Sequence, residues 1–215
     1  MLENIKSLRD YAILNSKNCA FTGEINAWVL IWYPENHHFG HAAMVIGDLS
    51  SKSSYVSWWP EKSRSGLSSF LFKSPAVREN LFNHRAHRFE FTTSDYESDV
   101  SSEGDCPHVI FGLREFDSRN MQIMWDKIIS GGAPSFSPLS KNCATIVSRV
   151  MKAGLKNSPL RQKVFGLFGG EQYVWTPKRI AVACNILRDK NYALKINISG
   201  RNSEYNFFKK LVRLR

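Results

Sequence analysis

Two residues of this chain stand where bond-making chemistry could begin: Cys143 and His41. A cysteine attacks as its thiolate, and the first turn of a helix favours that form because unpaired N–H groups and the helix dipole attract negative charge. Cys143 sits where the loop SPLSKN passes into the helical run ATIVSRVMKAG. Ser140 or Asn142 can cap that run, and Lys141 adds positive charge. The competing reading is a small buried cysteine that packs and does nothing else. The pentapeptide SKNCA occurs at both Ser16–Ala20 and Ser140–Ala144. The first copy runs into FTGEINAW, where a glycine and a strand-like run follow, so Cys19 lacks the helix start. Cys184 lies among apolar residues at helical spacing and reads as core. Cys106, just before Pro107, has no evident activator.

A thiolate needs a base, and histidine is the side chain suited to it near neutral pH. His41 follows Gly40 and opens the apolar run HAAMVIG, which gives a rigid mount with room beside it. His37 and His38 lie in the polar turn before it. His84 and His87 belong to the arginine-rich NHRAHR, and His108 lies at a strand entry. A lone histidine on a strand is commonly structural, and pairing with a cysteine is what gives it a catalytic reading. A third group would orient the imidazole. Asp95, Glu97, Asp99, Glu103 and Asp105 crowd the stretch TSDYESDVSSEGD, which reads as a solvated surface loop, and spacing selects none of them.

The elements that must position these groups follow from hydrophobic period. Residues 1–25 read as a helical lead-in. Ala27–Tyr33, His41–Gly47 and Tyr55–Trp59 read as strands of an antiparallel meander, and Arg88–Thr92 and Val109–Leu113 as two more. The period then becomes helical. Asp117 caps a helix carrying Met121, Met124, Trp125 and Ile128, which ends at Gly131–Gly132. Ala144, Ile146, Val147, Val150 and Met151 mark a second helix that stops at Gly154. Thr176–Pro177 starts a third, running to about Asp189. The fold class is therefore α+β, an antiparallel sheet packed against helices. The organisation is a lead-in (1–25), a main domain (26–190) and a basic amphipathic end (191–215), whose NFFKKLVRLR suits either an anionic leaflet or packing on its own domain. In YVSWWP the strand alternation sends Trp58 and Trp59 to opposite faces, so that either both pack in the core or one lines a cleft. VFGLFGG, at 164–170, reads as a cover for an apolar chain or as a plain buried loop.

Composition narrows the class. With 215 residues, 43% of them hydrophobic, the chain can bury a real core. A net charge of +10 favours anionic partners, but no nucleic-acid motif is present and none is expected as a partner. The four cysteines lack metal-ligand spacing, so no metal is expected, and free thiols in a reducing compartment fit them. No stretch approaches the ~20 apolar residues of a membrane span. MLENIKSLRDYAIL lacks a signal-peptide core, so export would need a specialised system.

Taken in order, GHAA, YVSWWP, the DVSSEG stretch, a helix with a tryptophan, NCATIVSRVMKAG and WTPKRI resemble the Rho-inactivation domain of multifunctional MARTX toxins. They are also similar to the type III effectors IcsB and BopA, and more distantly to circularly permuted NlpC/P60 and LRAT-like enzymes, in which His precedes Cys. The likeness spans about residues 25–190. It implies a papain-like fold and Nε-fatty acylation of lysines near the membrane-bound end of Rho-family GTPases. Long-chain fatty acyl-CoA would be the co-substrate, with no bound cofactor. The protein would be secreted by bacteria and act at the host membrane. The family's nucleophile falls on Cys143, its base on His41, and its acid best on Asp99, with Glu103 next. Two rival readings stand beside it: a cysteine peptidase or amidase of NlpC/P60 type using the same pair, and a non-enzymatic basic membrane-binding module.

Overall fold

The computed structural model describes residues 25–34, 40–47, 54–59, 74–75, 82–83, 88–89, 96–131, 135–137, 139–155 and 174–198. Within them the chain forms one five-stranded antiparallel sheet in the order β3-β2-β1-β7-β9. Its strands are β1 (Ile25–Trp32), β2 (His41–Ile46), β3 (Ser54–Val56), β7 (Val109–Arg114) and β9 (Ala193–Asn197). Two-residue ladders pair β4 (Ser74–Pro75) with β8 (Ser135–Phe136) and β5 (Phe82–Asn83) with β6 (Arg88–Phe89). The helices are α1 (Tyr96–Glu103), α2 (Ser118–Ser130), α3 (Cys143–Gly154) and α4 (Pro177–Asp189).

The sheet is buried on both faces, so its central strands read as nearly continuous apolar runs. Alternation still sorts them. Ala27, Val29 and Ile31 of β1, with Ala42, Met44 and Ile46 of β2, join the main core with α2, α3 and α4. Trp28, Leu30 and Trp32 point the other way. Cross-strand pairing puts Trp32 opposite His41 and Leu30 opposite Ala43, on the face that Tyr96 of α1 also packs against. Each helix of the main core begins at a side-chain cap. Asp117 accepts from Asn120 N–H, Asn142 from Thr145 N–H and Thr176 from Arg179 N–H, with Pro177 opening α4. α2 and α3 cross closely at Gly154, where a Cβ would stand 2.7 Å from the Met121 side chain.

The expected strands 27–33, 41–47 and 109–113, and the three helices with their caps, are present within a residue or two. Three features differ. Residues 93–105 were expected as a surface loop, but Tyr96–Glu103 is a helix that buries Asp99 and Glu103. The strand expected over 55–59 leaves the ladder after Val56, and Ser57 and Trp59 face the site while Trp58 enters the core. β9 follows α4 as an edge strand on β7, a pairing that short-range pattern gave no sign of. The lead-in (1–24), the end of the 88–92 strand, VFGLFGG and the basic tail lie outside the described residues, as do His37, His38, His84, His87 and Cys19.

Candidate active site

His41 is the first residue of β2, and its position depends on the glycine before it. Gly40 has φ +79°, and a Cβ there would lie 2.6 Å from the Trp32 carbonyl oxygen. Only glycine lets the chain enter β2 this tightly. The imidazole is thereby held at the end of the sheet, where side chains from both flanking layers can reach it. It is 1% exposed, with Trp32 and Trp59 against it.

Asp99 arrives from α1. That helix escapes a hydropathy reading because it is mostly polar. Its inward face, Tyr96, Asp99, Val100 and Glu103, nonetheless has i, i+3, i+4, i+7 spacing, with acids at two of the four positions. That mixed stripe was the available signal. Asp99 is fully buried and its carboxylate is saturated with donors. His41 Nε2 lies 3.1 Å from Oδ2, which also accepts from Tyr55 O–H at 2.7 Å. Oδ1 accepts from Ser57 O–H at 2.9 Å and from Trp59 Nε1–H at 2.6 Å. Because a carboxylate only accepts, Nε2 carries a proton, and it is also within 3.1 Å of Ser57 Oγ. Of the other acids, Glu103 is buried one turn further on. Asp105 is exposed and accepts from Trp32 Nε1–H through its backbone oxygen. Asp95 and the Glu97 side chain lie outside the described residues.

Tyr55, Ser57 and Trp59 alternate with Val56 and Trp58. The first three face Asp99, while the other two enter the main core, where Trp58 meets Trp125 edge-on at 6.3 Å. YVSWWP thus has one tryptophan in the core and one at the site.

Cys143 is the first residue of α3 and is half-buried. Asn142, not Ser140, supplies the cap. Its Oδ1 accepts from both the amide and the hydroxyl of Thr145, and its Nδ2–H donates to the Trp175 carbonyl at 2.9 Å. The cap therefore ties the cysteine's helix to the segment leading into α4. The Ile146 amide is taken by the Asn142 carbonyl. The amides of Cys143 and Ala144, the first two of α3, make no hydrogen bond among the described residues, and unpaired first-turn amides are the donors an oxyanion could use. Lys141 places its ammonium 5.2 Å over the Trp58 ring. Cys184 is wholly buried in α4, which pushes its thiol well above the ordinary range.

The electrostatics join the three groups. Burial opposes charge on His41, but the Asp99 carboxylate and the Cys143 sulfur, through charge and hydrogen bonding, outweigh it and raise the imidazole from 6.5 to about 10. Burial likewise opposes charge on Asp99. His41, with the Tyr55 and Trp59 hydrogen bonds, more than offsets this and holds the carboxyl below its usual range. Nε2 serves Asp99 and Ser57, which leaves Nδ1 as the nitrogen for the sulfur. The arrangement can hold an imidazolium between a carboxylate and the Cys143 sulfur, the pairing by which a histidine can activate a cysteine. His108 is elsewhere, accepting from the Tyr33 amide through Nδ1. Among the described residues no cluster of three or more His, Cys, Asp or Glu could hold a metal, and no helix is long and apolar enough to cross a membrane.

No curated protein and no solved structure matches the chain. One family model does, over less than half of it, and supports an IcsB-like effector family: residues 19–107, which carry His41, Asp99 and YVSWWP but stop short of Cys143, are similar to the IcsB middle domain.

Proposed function

We propose that this protein is a thiol-dependent acyltransferase of papain-like type, secreted by a bacterium as an effector. It would move a long-chain fatty acyl group from acyl-CoA to a lysine amine on a membrane-associated small GTPase of the Rho family. The observation that carries the reading is the meeting of Cys143, His41 and Asp99 at one end of the sheet, with two first-turn amides beside the sulfur. The Cys143 thiolate attacks the thioester carbonyl. The oxyanion of the tetrahedral intermediate lies against the Cys143 and Ala144 N–H groups. As the C–S bond to CoA breaks, the departing thiolate takes the proton from His41. Neutral His41 then accepts a proton from the incoming lysine amine as the nitrogen attacks the acyl-enzyme. Cys143 leaves as thiolate, and the imidazolium is restored. Asp99 holds the ring and stabilises its charge throughout. The net charge of +10 suits both a polyanionic donor and an anionic leaflet.

The test is to incubate the full chain with palmitoyl-CoA, with and without a lipidated Rho GTPase, and to read intact masses. An acyl adduct on the protein, absent in Cys143→Ala, followed by an amide-linked adduct on the GTPase, is expected. An adduct on Cys143 that only hydrolyses would replace the transferase reading with the cysteine hydrolase. Absence of any adduct would overturn the acyltransferase reading and leave the peptidase or amidase and the basic binding module.

A further inference from the structure

Trp59 is a residue that the acyl-transfer steps do not use, yet it touches both members of the buried pair. Its indole lies nearly flat on His41, with ring centroids 4.3 Å apart and planes 22° from parallel. Its Nε1–H donates to the Asp99 carboxylate at 2.6 Å, a shorter contact than those of Tyr55, Ser57 and His41. An indole nitrogen can only donate, so this contact holds one carboxylate oxygen against the ring edge. The residue is placed for this by the break after Val56. Trp58 is anchored in the main core, and the next residue is turned to the opposite face over the imidazole. The ring lies closer to His41 than that of Trp32, whose centroid is 5.6 Å from the imidazole at a 47° tilt.

We infer that Trp59 is a positioning residue that clamps the His41–Asp99 pair, through its N–H on the acid and its ring face on the base. The N–H keeps Asp99 ionised and aimed. The ring face stabilises the imidazolium as a cation–π partner and keeps water off it. Among the described residues, the titratable groups facing this pair are Cys143 from α3 and Tyr55 from β3, with Glu103 one turn along α1. With the plate removed, burial and charge attraction both weaken, and the His41 pKa relaxes toward 6.5. With only the N–H removed, the carboxylate loses a donor and Asp99 becomes easier to protonate.

The inference rests on the proposed role of the pair, but its test needs no substrate. Full-length chain carrying ¹⁵N-histidine and ¹³C-aspartate is titrated by NMR as wild type, Trp59→Phe and Trp59→Leu, and Cys143 alkylation by iodoacetamide is timed at pH 7. In Trp59→Phe the Asp99 transition is expected to rise by half a pH unit or more while His41 holds near its wild-type midpoint. In Trp59→Leu both move inward, His41 by more than one unit, and alkylation slows about tenfold. An Asp99 transition unmoved in Trp59→Phe, or a His41 midpoint unmoved in Trp59→Leu, overturns the inference. Should Trp59→Leu fail to fold, the Asp99 transition of Trp59→Phe decides. Wild type that transfers no acyl group while these shifts occur would sink the enzymatic reading and leave the clamp standing.

Discussion

Replacing Asp99 by asparagine changes one atom and reverses the hydrogen-bond logic of the site. Among the described residues, Tyr55 and His41 meet Oδ2 of the carboxylate, and Ser57 and Trp59 meet Oδ1. An amide has one oxygen and one NH2. Trp59 Nε1–H cannot accept, so the amide oxygen must take the Oδ1 position, and the NH2 falls at Oδ2, facing Tyr55 and His41. Tyr55 can turn its hydroxyl to accept, but His41 can accept only if Nε2 gives up its proton. The neutral ring then carries its proton on Nδ1, pointing at Cys143, and cannot take the thiol's. With burial unchanged and the carboxylate gone, the His41 pKa falls from about 10. A wrong-tautomer histidine of this kind costs a catalytic triad roughly 10,000-fold in turnover. Breaking a buried pair costs ~3–5 kcal/mol of stability.

Wild type also has a pH signature. A His41 pKa above 6.5 contributes stability that is complete below pH 6.5 and lost as pH rises toward 10. The depressed Asp99 contributes stability present above its ordinary range and lost as pH falls below it. Urea midpoints measured from pH 3 to 10 should therefore trace a plateau that falls at both ends. In Asp99→Asn both slopes should shrink, and ¹⁵N NMR should show the Nδ1–H tautomer. An Asp99→Asn protein whose His41 still titrates near pH 10, or whose Cys143 is alkylated at the wild-type rate, would refute this account.

Three further substitutions test how the site is mounted. Asn142→Ala removes the α3 cap and the tie to the Trp175 carbonyl. It should cost about 1–2 kcal/mol in urea unfolding and slow Cys143 alkylation, because the helix start loosens. Gly40→Ala puts a methyl 2.6 Å from the Trp32 carbonyl at φ +79°. It should destabilise by about 1–3 kcal/mol or more and cut alkylation of Cys143, whereas Gly154→Ala, meeting the Met121 side chain at 2.7 Å and the Phe116 ring at 3.0 Å, should cost about 1–3 kcal/mol by overpacking and leave alkylation nearer the wild-type rate.

Much of this molecule was legible in the chain. Caps followed by helical period located α2, α3 and α4, because those signals are local and each backbone amide needs its partner nearby. The apolar runs of β1, β2 and β7 are strong because both sheet faces are covered. Residue type and setting pointed to Cys143 at a helix start and His41 at a strand start, each of which a single segment can express. What sequence could not express is which acid serves His41. Five candidates share one polar stretch, and only the docking of α1 against Trp32 and Tyr55 turns Asp99 inward. The same holds for Trp59, whose neighbour Trp58 is chemically identical and whose role is decided by which face of the sheet it leaves on. β9 likewise owes its place to pairing with β7, formed more than eighty residues earlier. Local rules determine elements and their ends because their interactions close within a few residues. The site is set by contacts between layers, and those exist only once the sheet has brought distant segments together.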